Sequence, residues 1–461
     1  MNRIFDEQAV KIIRKALSKG GEYADIFLEQ RHHVSIQLED DKIEKIITGV
    51  DDGIGIRVVF GGRSAYAYSN DFSESSLLAL ADTVSKAARE QKDVIINLKR
   101  IMPKVNFKIK LNPMDVDIRR KISLLENANK TARGVSQKIK QVSVTYRDSI
   151  QNVYIATSEG TISEDERIYT LAVISVVASN GEILQTGYEP IGGFIGFELF
   201  EENSFEEVSL KTANRAVAML SARQAPGGRM QVVISANAGG TMIHEAVGHG
   251  LEADLAQEGL SVYSGNTGQQ IASPLITVID DSTLYKKRGS YRFDDEGVPS
   301  QRTVLIEKGI LKNYMYDRLT AAKDKVSSTG NGRRESYEHR PIPRMTNTFI
   351  APGGNDPKEI IKSVHRGLLV EKMGGGQVNT VTGEFVFEVS ECYMIENGQK
   401  GEPLRGATLV GSGPEVLQSI DMVGNDIGFS IGTCGKDAQG VPVADAMPTV
   451  RIPEMVVGGK I

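Results

Sequence analysis

His244 and His249 stand five residues apart in the run His244-Glu245-Ala246-Val247-Gly248-His249, and that spacing constrains the backbone more than any other feature of the chain. On a regular α-helix, five residues turn the second side chain about 140° away from the first. The four-residue spacing of an H-E-x-x-H run leaves only about 40° and lets both imidazoles reach one ion. The two rings can converge here only where the helix is widened or broken. Gly248 and Gly250 flank the second histidine and supply the backbone freedom for such a break. Ile243, Val247, Leu251 and Leu255 form an apolar stripe, so the segment can still dock on a core. The spacing therefore predicts a helix distorted at Gly248, by a π-bulge or a break. A regular helix through His249 would turn the rings apart.

The chemistry of the run explains why convergence matters. Imidazole is the commonest metal-binding side chain, and two of the six histidines in the chain lie here. Glu245, next to His244, points elsewhere around the axis. It is placed to take a proton from a metal-activated water without itself coordinating. A catalytic zinc site usually takes three protein ligands and leaves the fourth position open. Four residues compete for the third place. Cys392 lies in an apolar strand, where a small buried thiol is common. Cys434 sits in Gly432-Thr433-Cys434-Gly435, where flanking glycines permit close approach. Glu252 and Asp254 are carboxylate rivals, and Glu252 also suits a hydrogen-bond partner of one imidazole. Residue chemistry leaves the choice open.

With 461 residues the chain exceeds one hydrophobic core. A net charge of −5 gives no footprint for nucleic acid. No uncharged apolar run is long enough to span a membrane, and the chain begins without an apolar leader segment. Two cysteines cannot build a disulfide framework. A cytoplasmic setting is expected.

Periodicity predicts an α+β fold. Residues 6–19 read as a helix, followed by short alternating runs at 24–28, 34–38, 43–47, 54–60 and 64–68, as in an antiparallel meander, and by a helix over 76–90 capped at Ser73. The order recurs: a helix over 116–139, strands at 142–146, 152–157 and 169–178, then a helix over 205–222. This predicts an N-terminal α+β domain, 1–222, with two subdomains dividing near 103–113. Pro226-Gly227-Gly228 follows. Residues 223–461 are expected to form a β-rich domain around the distorted helix, with hairpins turning at Lys308-Gly309 and Asn397-Gly398. The Gly374-Gly375-Gly376 run is a candidate strand edge for an extended peptide.

Four blocks carry a resemblance. They are H-E-A-V-G-H-G-L-E-A-D from His244, G-S-Y-R-F-D-D-E-G from Gly289, G-N-G-R-R-E-S-Y-E-H-R-P-I-P-R-M-T-N-T from Gly330, and Cys434-Gly435-Lys436-Asp437. Together they resemble the TldD branch of the TldD/PmbA family, densely from about Arg223 onward and weakly before it. The resemblance implies a metalloprotease whose zinc is held by His244, His249 and Cys434, with Glu245 as the catalytic glutamate. It also implies a homologous PmbA/TldE-type partner lacking the histidine run, or self-association. The implied substrates are unfolded or flexible peptides, including ribosomally made precursors and labile antitoxins, bound mainly through their backbone in an enclosed cleft.

Arg333, Arg334 and Arg340 are candidates to hold peptide carbonyls or a terminal carboxylate. Asp294, Asp295 and Glu296 are candidates to meet a peptide amine, and His339 to stabilise an oxyanion. Two other readings compete. One is a non-catalytic interaction protein of the same family, in the manner of a gyrase modulator; a scaffold has no need of both ligands and base. The other, a small-molecule amidohydrolase, lacks an aromatic pocket signal, since the chain has no tryptophan.

Overall fold

The computed structural model describes residues 6–88 and 96–460. The first five residues, and the end of the helix expected to reach Glu90, lie outside these. The fold is α+β, as the periodicity predicts.

The recurrence expected in the first half is present. Helix Asp6–Ala16, strands Tyr23–Glu39, Lys42–Phe60 and Arg63–Ser69, and helix Glu74–Ser85 form one unit. Helix Ile118–Arg133, strands Ile139–Thr157, Thr161–Ser179 and Leu184–Gly193, and helix Phe205–Met219 form the second. Both share one seven-stranded sheet, joined where Tyr23–Glu39 pairs antiparallel with Ile139–Thr157. Each helix pair covers its own core: Ile12, Leu77 and Ala81 pack on Ile26 and Ile56, while Leu125, Phe205 and Ala213 pack on Ile36, Tyr146 and Ile174.

The strands are longer than the alternation suggests. Residues 34–38 and 43–47 do not form separate strands but continue their neighbours, and Asp51-Asp52-Gly53 lies inside Lys42–Phe60 instead of at a turn. The glycines there serve packing. A Cβ on Gly53 would lie 2.2 Å from the Tyr337 ring, and one on Gly55 would lie 1.7 Å from the Tyr66 hydroxyl. Glycine inside a strand marks close approach as often as it marks a turn.

Beyond residue 222 the described residues build two large sheets and a two-stranded one, Gly332–Arg333 with Ile342–Pro343. Strands Arg366–Val378, Gly228–Ile234, Val450–Gly458, Thr408–Ser412 and Glu384–Glu396 pair in a ring that closes when the last pairs with the first. The second sheet runs Ile310–Leu311, Arg302–Glu307, Val278–Asp281, Asn347–Ile350, Gln439–Met447 and Gly428–Lys436. Gly428–Lys436 is its edge. Both hairpins turn where expected, with positive φ at Lys308 and Gly309 and at Asn397 and Gly398. Ala246, Val247 and Leu251 bury in the large apolar core of this half, together with Met345, Phe387 and Val443. The histidine segment is therefore central.

A fully buried ionic cluster ties the halves together. Arg57, from the first sheet, donates to Asp25 Oδ2 through Nε at 2.8 Å and Nη2 at 2.5 Å, and Nη2 lies 2.6 Å from Glu296 Oε1. Arg167 Nη1 donates to Asp295 Oδ1 at 2.7 Å.

Candidate metal centre

The histidine segment begins on two glycines, Gly239 seated against strand Gly428–Lys436 and Gly240 against strand Gln439–Met447. Gly239 has a φ of +78°, and a Cβ on Gly240 would lie 2.2 Å from the Ala446 nitrogen. Gly240 N–H donates to Asp445 Oδ1 at 3.0 Å. One α-turn, Thr241–Ile243, leads into a π-turn, His244–Gly248, in which the His249 N–H donates to the His244 carbonyl. A 3₁₀ turn, His249–Leu251, follows; Glu252 is extended, and a last helix spans Ala253–Gln257. The wide turn is anchored from outside: the Tyr263 hydroxyl donates to the Ala246 carbonyl at 2.9 Å. Gly248 is packed so closely that a Cβ would fall 2.0 Å from Met345 Sδ. A π-turn advances by more residues per revolution than an α-turn. The two rings accordingly face each other, with centroids 5.1 Å apart and planes at 88°.

The edge strand Gly428–Lys436 brings Cys434 to the same place. Its Sγ lies 3.5 Å from His249 Nε2, and one donor atom from each of His244, His249 and Cys434 lies within 4.8 Å of the others. Cys392 is elsewhere: its thiol meets the Leu404 carbonyl at 3.4 Å, and burial pushes it up to about 12.

A carboxylate stands behind each ring, within hydrogen-bond distance of His249 only. His249 Nδ1 lies 3.1 Å from Glu252 Oε2, and His244 Nδ1 lies 3.6 Å from Asp445 Oδ2. Glu252 is in turn held by Lys436 Nζ at 3.1 Å, which also donates to Asp254 at 2.7 Å. Glu252 and Asp254 thus stand behind the two rings and the thiol and not among the converging donor atoms. Arg344 Nη2 donates to the Cys434 carbonyl at 2.5 Å.

This surround separates charge within the site. Burial alone would raise the Cys434 thiol, yet the two imidazoles hold it down to about 5. Burial opposes charging of His249, but Glu252 and Cys434 raise it well above the ordinary value; His244 is raised against burial mainly by Cys434. Glu252, despite its burial, is held at about 2 by Lys436, His249 and Arg344. Glu245 is partly buried, and its carboxyl is raised by that burial against the pull of both histidines.

The remaining candidates are placed differently. Arg333 Nη1 and Nη2 donate to the carbonyls of Met345 and Pro442 at 2.5 and 2.7 Å, and Arg334 donates to the Asp295 carbonyl and the Tyr66 hydroxyl. Both are buried inside the protein instead of lying on a solvated loop. Arg340 is exposed, and His339 Nδ1 lies 3.1 Å from Ser336 Oγ. Asp294, Asp295 and Glu296 are buried, not surface acids open to a peptide amine: Asp294 takes backbone N–H groups of Glu296, Val298 and Gly332, and Asp295 and Glu296 face arginines. Asp445, Lys436, Arg344 and Tyr263 escaped the sequence reading. Asp445 carried a signal: it is an acid in the apolar run V-P-V-A-D-A-M.

Three family descriptions match in succession: PmbA/TldA metallopeptidase domain 1 over residues 24–88, the central domain over 111–220 and the C-terminal domain over 227–459. A Haemophilus influenzae protein named metalloprotease TldD homolog is 38% identical, covering 95% of this chain and 93% of its own length. A Methanocaldococcus jannaschii metalloprotease is 38% identical over 94% of this chain and 96% of its own. A Saccharolobus solfataricus zinc metalloprotease TldD homolog is 27% identical over 98% and 100%. Among solved structures, a Thermotoga maritima protein described as a candidate modulator of a DNA gyrase shares the fold, with a TM-score of 0.82 and 20% identity over 99% of this chain and all of its own. TldE from Thermococcus kodakarensis superposes with a TM-score of 0.77 at 18% identity, over 98% of this chain and 100% of that one. Matched from residue 24 to residue 459 and nearly end to end with TldD metalloproteases, this chain belongs to the PmbA/TldD metallopeptidase family.

Proposed function

We propose that the protein is a zinc-dependent peptidase that hydrolyses peptide bonds in unfolded or flexible peptides. The reading is carried by one observation: two imidazoles and a thiol converge within 4.8 Å, beside a partly buried glutamate. A thiolate with two histidines is a donor set suited to zinc, whose bonds of about 2.0–2.3 Å place neighbouring ligand atoms at separations like the 3.5 Å between Cys434 and His249. His244 and His249 would bind through the nitrogens turned away from Asp445 and Glu252. Zinc, when bound, supplies a Lewis acid that acidifies water and polarises a carbonyl. Glu245 takes the proton of the attacking water on its carboxylate and returns it to the nitrogen of the departing amine.

The edge strand supports the choice of substrate. Gly428–Lys436 pairs with Gln439–Met447 on one side only among the described residues. An extended peptide laid along the other side would run past Cys434 and be held through its backbone, with little demand on its side chains. The second half of Arg366–Val378, with Gly374–Gly376, is likewise paired on one side only among the described residues. A folded protein cannot offer such a strand, whereas peptide precursors and labile proteins can. A cytoplasmic enzyme working with a homologous PmbA/TldE-type subunit is consistent with the TldE-like fold. A gyrase-modulator role without catalysis is less well supported, because a scaffold has no use for converged ligands.

The test is to count zinc and cleavage together. Glu245→Gln should retain zinc and lose cleavage of a flexible peptide, while Cys434→Ser should lose zinc. Cleavage that survives chelators, or no zinc in the wild type, would overturn the reading.

A further inference from the structure

The segment Lys286-Lys287-Arg288 lies against the strand that carries Cys434. Arg288 Nε donates to the Gly432 carbonyl at 3.2 Å, and the Lys287 ammonium stands 3.8 Å from the centre of the Phe429 ring. Gly432 precedes Cys434 by two residues, about 7 Å along a strand. Arg288 opens on a cleft of about 580 Å³ between this strand and the first sheet, lined also by Arg31, Asp51, Arg147, Asp148 and Glu335.

Two arginines of that cleft have no salt-bridge partner among the described residues. Asp51 is taken by Arg31 at 3.0 Å and Asp148 by Lys121 at 2.6 Å, while Glu335, an exposed carboxylate, accepts the Gly440 N–H at 2.6 Å and forms no salt bridge among them. Arg288 and Arg147 are left over. Neither forms a salt bridge among the described residues, and Arg288 rests on the face of Tyr169, 5.9 Å from its centre. Burial lowers the Arg288 guanidinium, and the charges of Arg147 and Arg333 lower it further against the pull of Tyr169. Arg288 is half-buried and Arg147 exposed at the mouth of the cleft; a partly desolvated cation gains from an anion, and a guanidinium presents a planar fork that fits a carboxylate.

We infer that this cleft is a carboxylate subsite of the peptide groove, in which Arg288 and Arg147 receive a carboxylate of the substrate: its C-terminal group or an acidic side chain. The inference rests on the peptidase reading and adds the substrate class to it. It accounts for two unpaired arginines beside an open strand edge, which backbone pairing alone does not require.

Three labelled flexible peptides test it: one with a free C-terminus and no acidic residue, its C-terminal amide, and the amide with one internal Glu. Binding to zinc-loaded Glu245→Gln is read by fluorescence anisotropy, and cleavage by the wild type as kcat/KM. The free acid or the Glu peptide should bind about tenfold more tightly than the plain amide, as one charge-assisted contact implies; whichever gains identifies the source of the carboxylate. Arg147→Gln, an exposed position that spares the fold, and Arg288→Gln should each reduce that gain towards onefold. Equal binding and equal cleavage of all three peptides would overturn the subsite and leave the peptidase standing. No binding and no cleavage of any would overturn both.

Discussion

Glu252 and Cys434 meet the same imidazole from opposite sides: Glu252 Oε2 lies 3.1 Å from His249 Nδ1, and Cys434 Sγ lies 3.5 Å from Nε2. The carboxylate fixes which nitrogen carries the proton and aims the other at the thiol. Glu252→Gln keeps the shape but removes the charge, so the ring loses its orienting anion. Zinc affinity should fall about 10- to 100-fold with the fold intact. Competition against a chromophoric chelator measures this; unchanged affinity would show that packing alone orients His249.

Gly248 is the residue on which the geometry of the helix turns. A methyl group there would sit 2.0 Å from Met345 Sδ, and Met345 is fully buried. Gly248→Ala should cost about 1–3 kcal/mol by overpacking and displace His249. Pairing it with Met345→Ala should relieve the clash while leaving a smaller packing defect. Thermal unfolding and zinc content of the single and double variants test this, and full zinc occupancy in Gly248→Ala would refute it.

How far the sequence reaches can be judged at these two residues. The five-residue spacing demands a distortion, and Gly248 shows where it falls, because dihedral geometry is local. The third donor beside the two imidazoles is different. Cys434 is 185 residues beyond His249 in sequence, and only the strand order that sets Gly428–Lys436 beside the helix decides between it and Cys392. The same non-locality hides Asp445 and Arg344, and it misassigns Asp294, Asp295 and Glu296. An acidic run reads as surface until the arginines of a distant sheet are seen against it. Gly53 and Gly55 mislead for a related reason, since their neighbours are Tyr337 and Tyr66.

The metal-free site should already hold its thiol ionised. Cys434 is held at about 5, whereas His244 and His249 are raised. At neutral pH the thiol has therefore lost its proton, and the imidazoles keep theirs to a higher pH than a free histidine does. As pH falls through about 5 the thiolate is lost; as pH rises, the imidazoles release the protons that compete with zinc. Uptake near neutrality should release protons from the histidines and not from the thiol, so zinc affinity should climb with pH. Ultraviolet thiolate absorbance of the metal-free protein, with calorimetry in two buffers of different ionisation enthalpy, checks both halves. A thiol that titrates near its ordinary value of 9.0 would contradict the site electrostatics.

Arg57 gives the last prediction, on stability. It stands between Asp25 and Glu296, all three side chains almost wholly buried. Replacing such an ion cluster whole can be neutral, but removing one member strands the others. Arg57→Met removes the cation that both carboxylates share, leaving Asp25 only Arg334 at 3.8 Å, and should cost about 3–5 kcal/mol. Asp25→Asn and Glu296→Gln, added to it, should restore part of that. Urea unfolding of the wild type, Arg57→Met and the triple variant checks this, and a triple variant no more stable than Arg57→Met would mean that lost packing around Arg57, and not stranded charge, sets the cost.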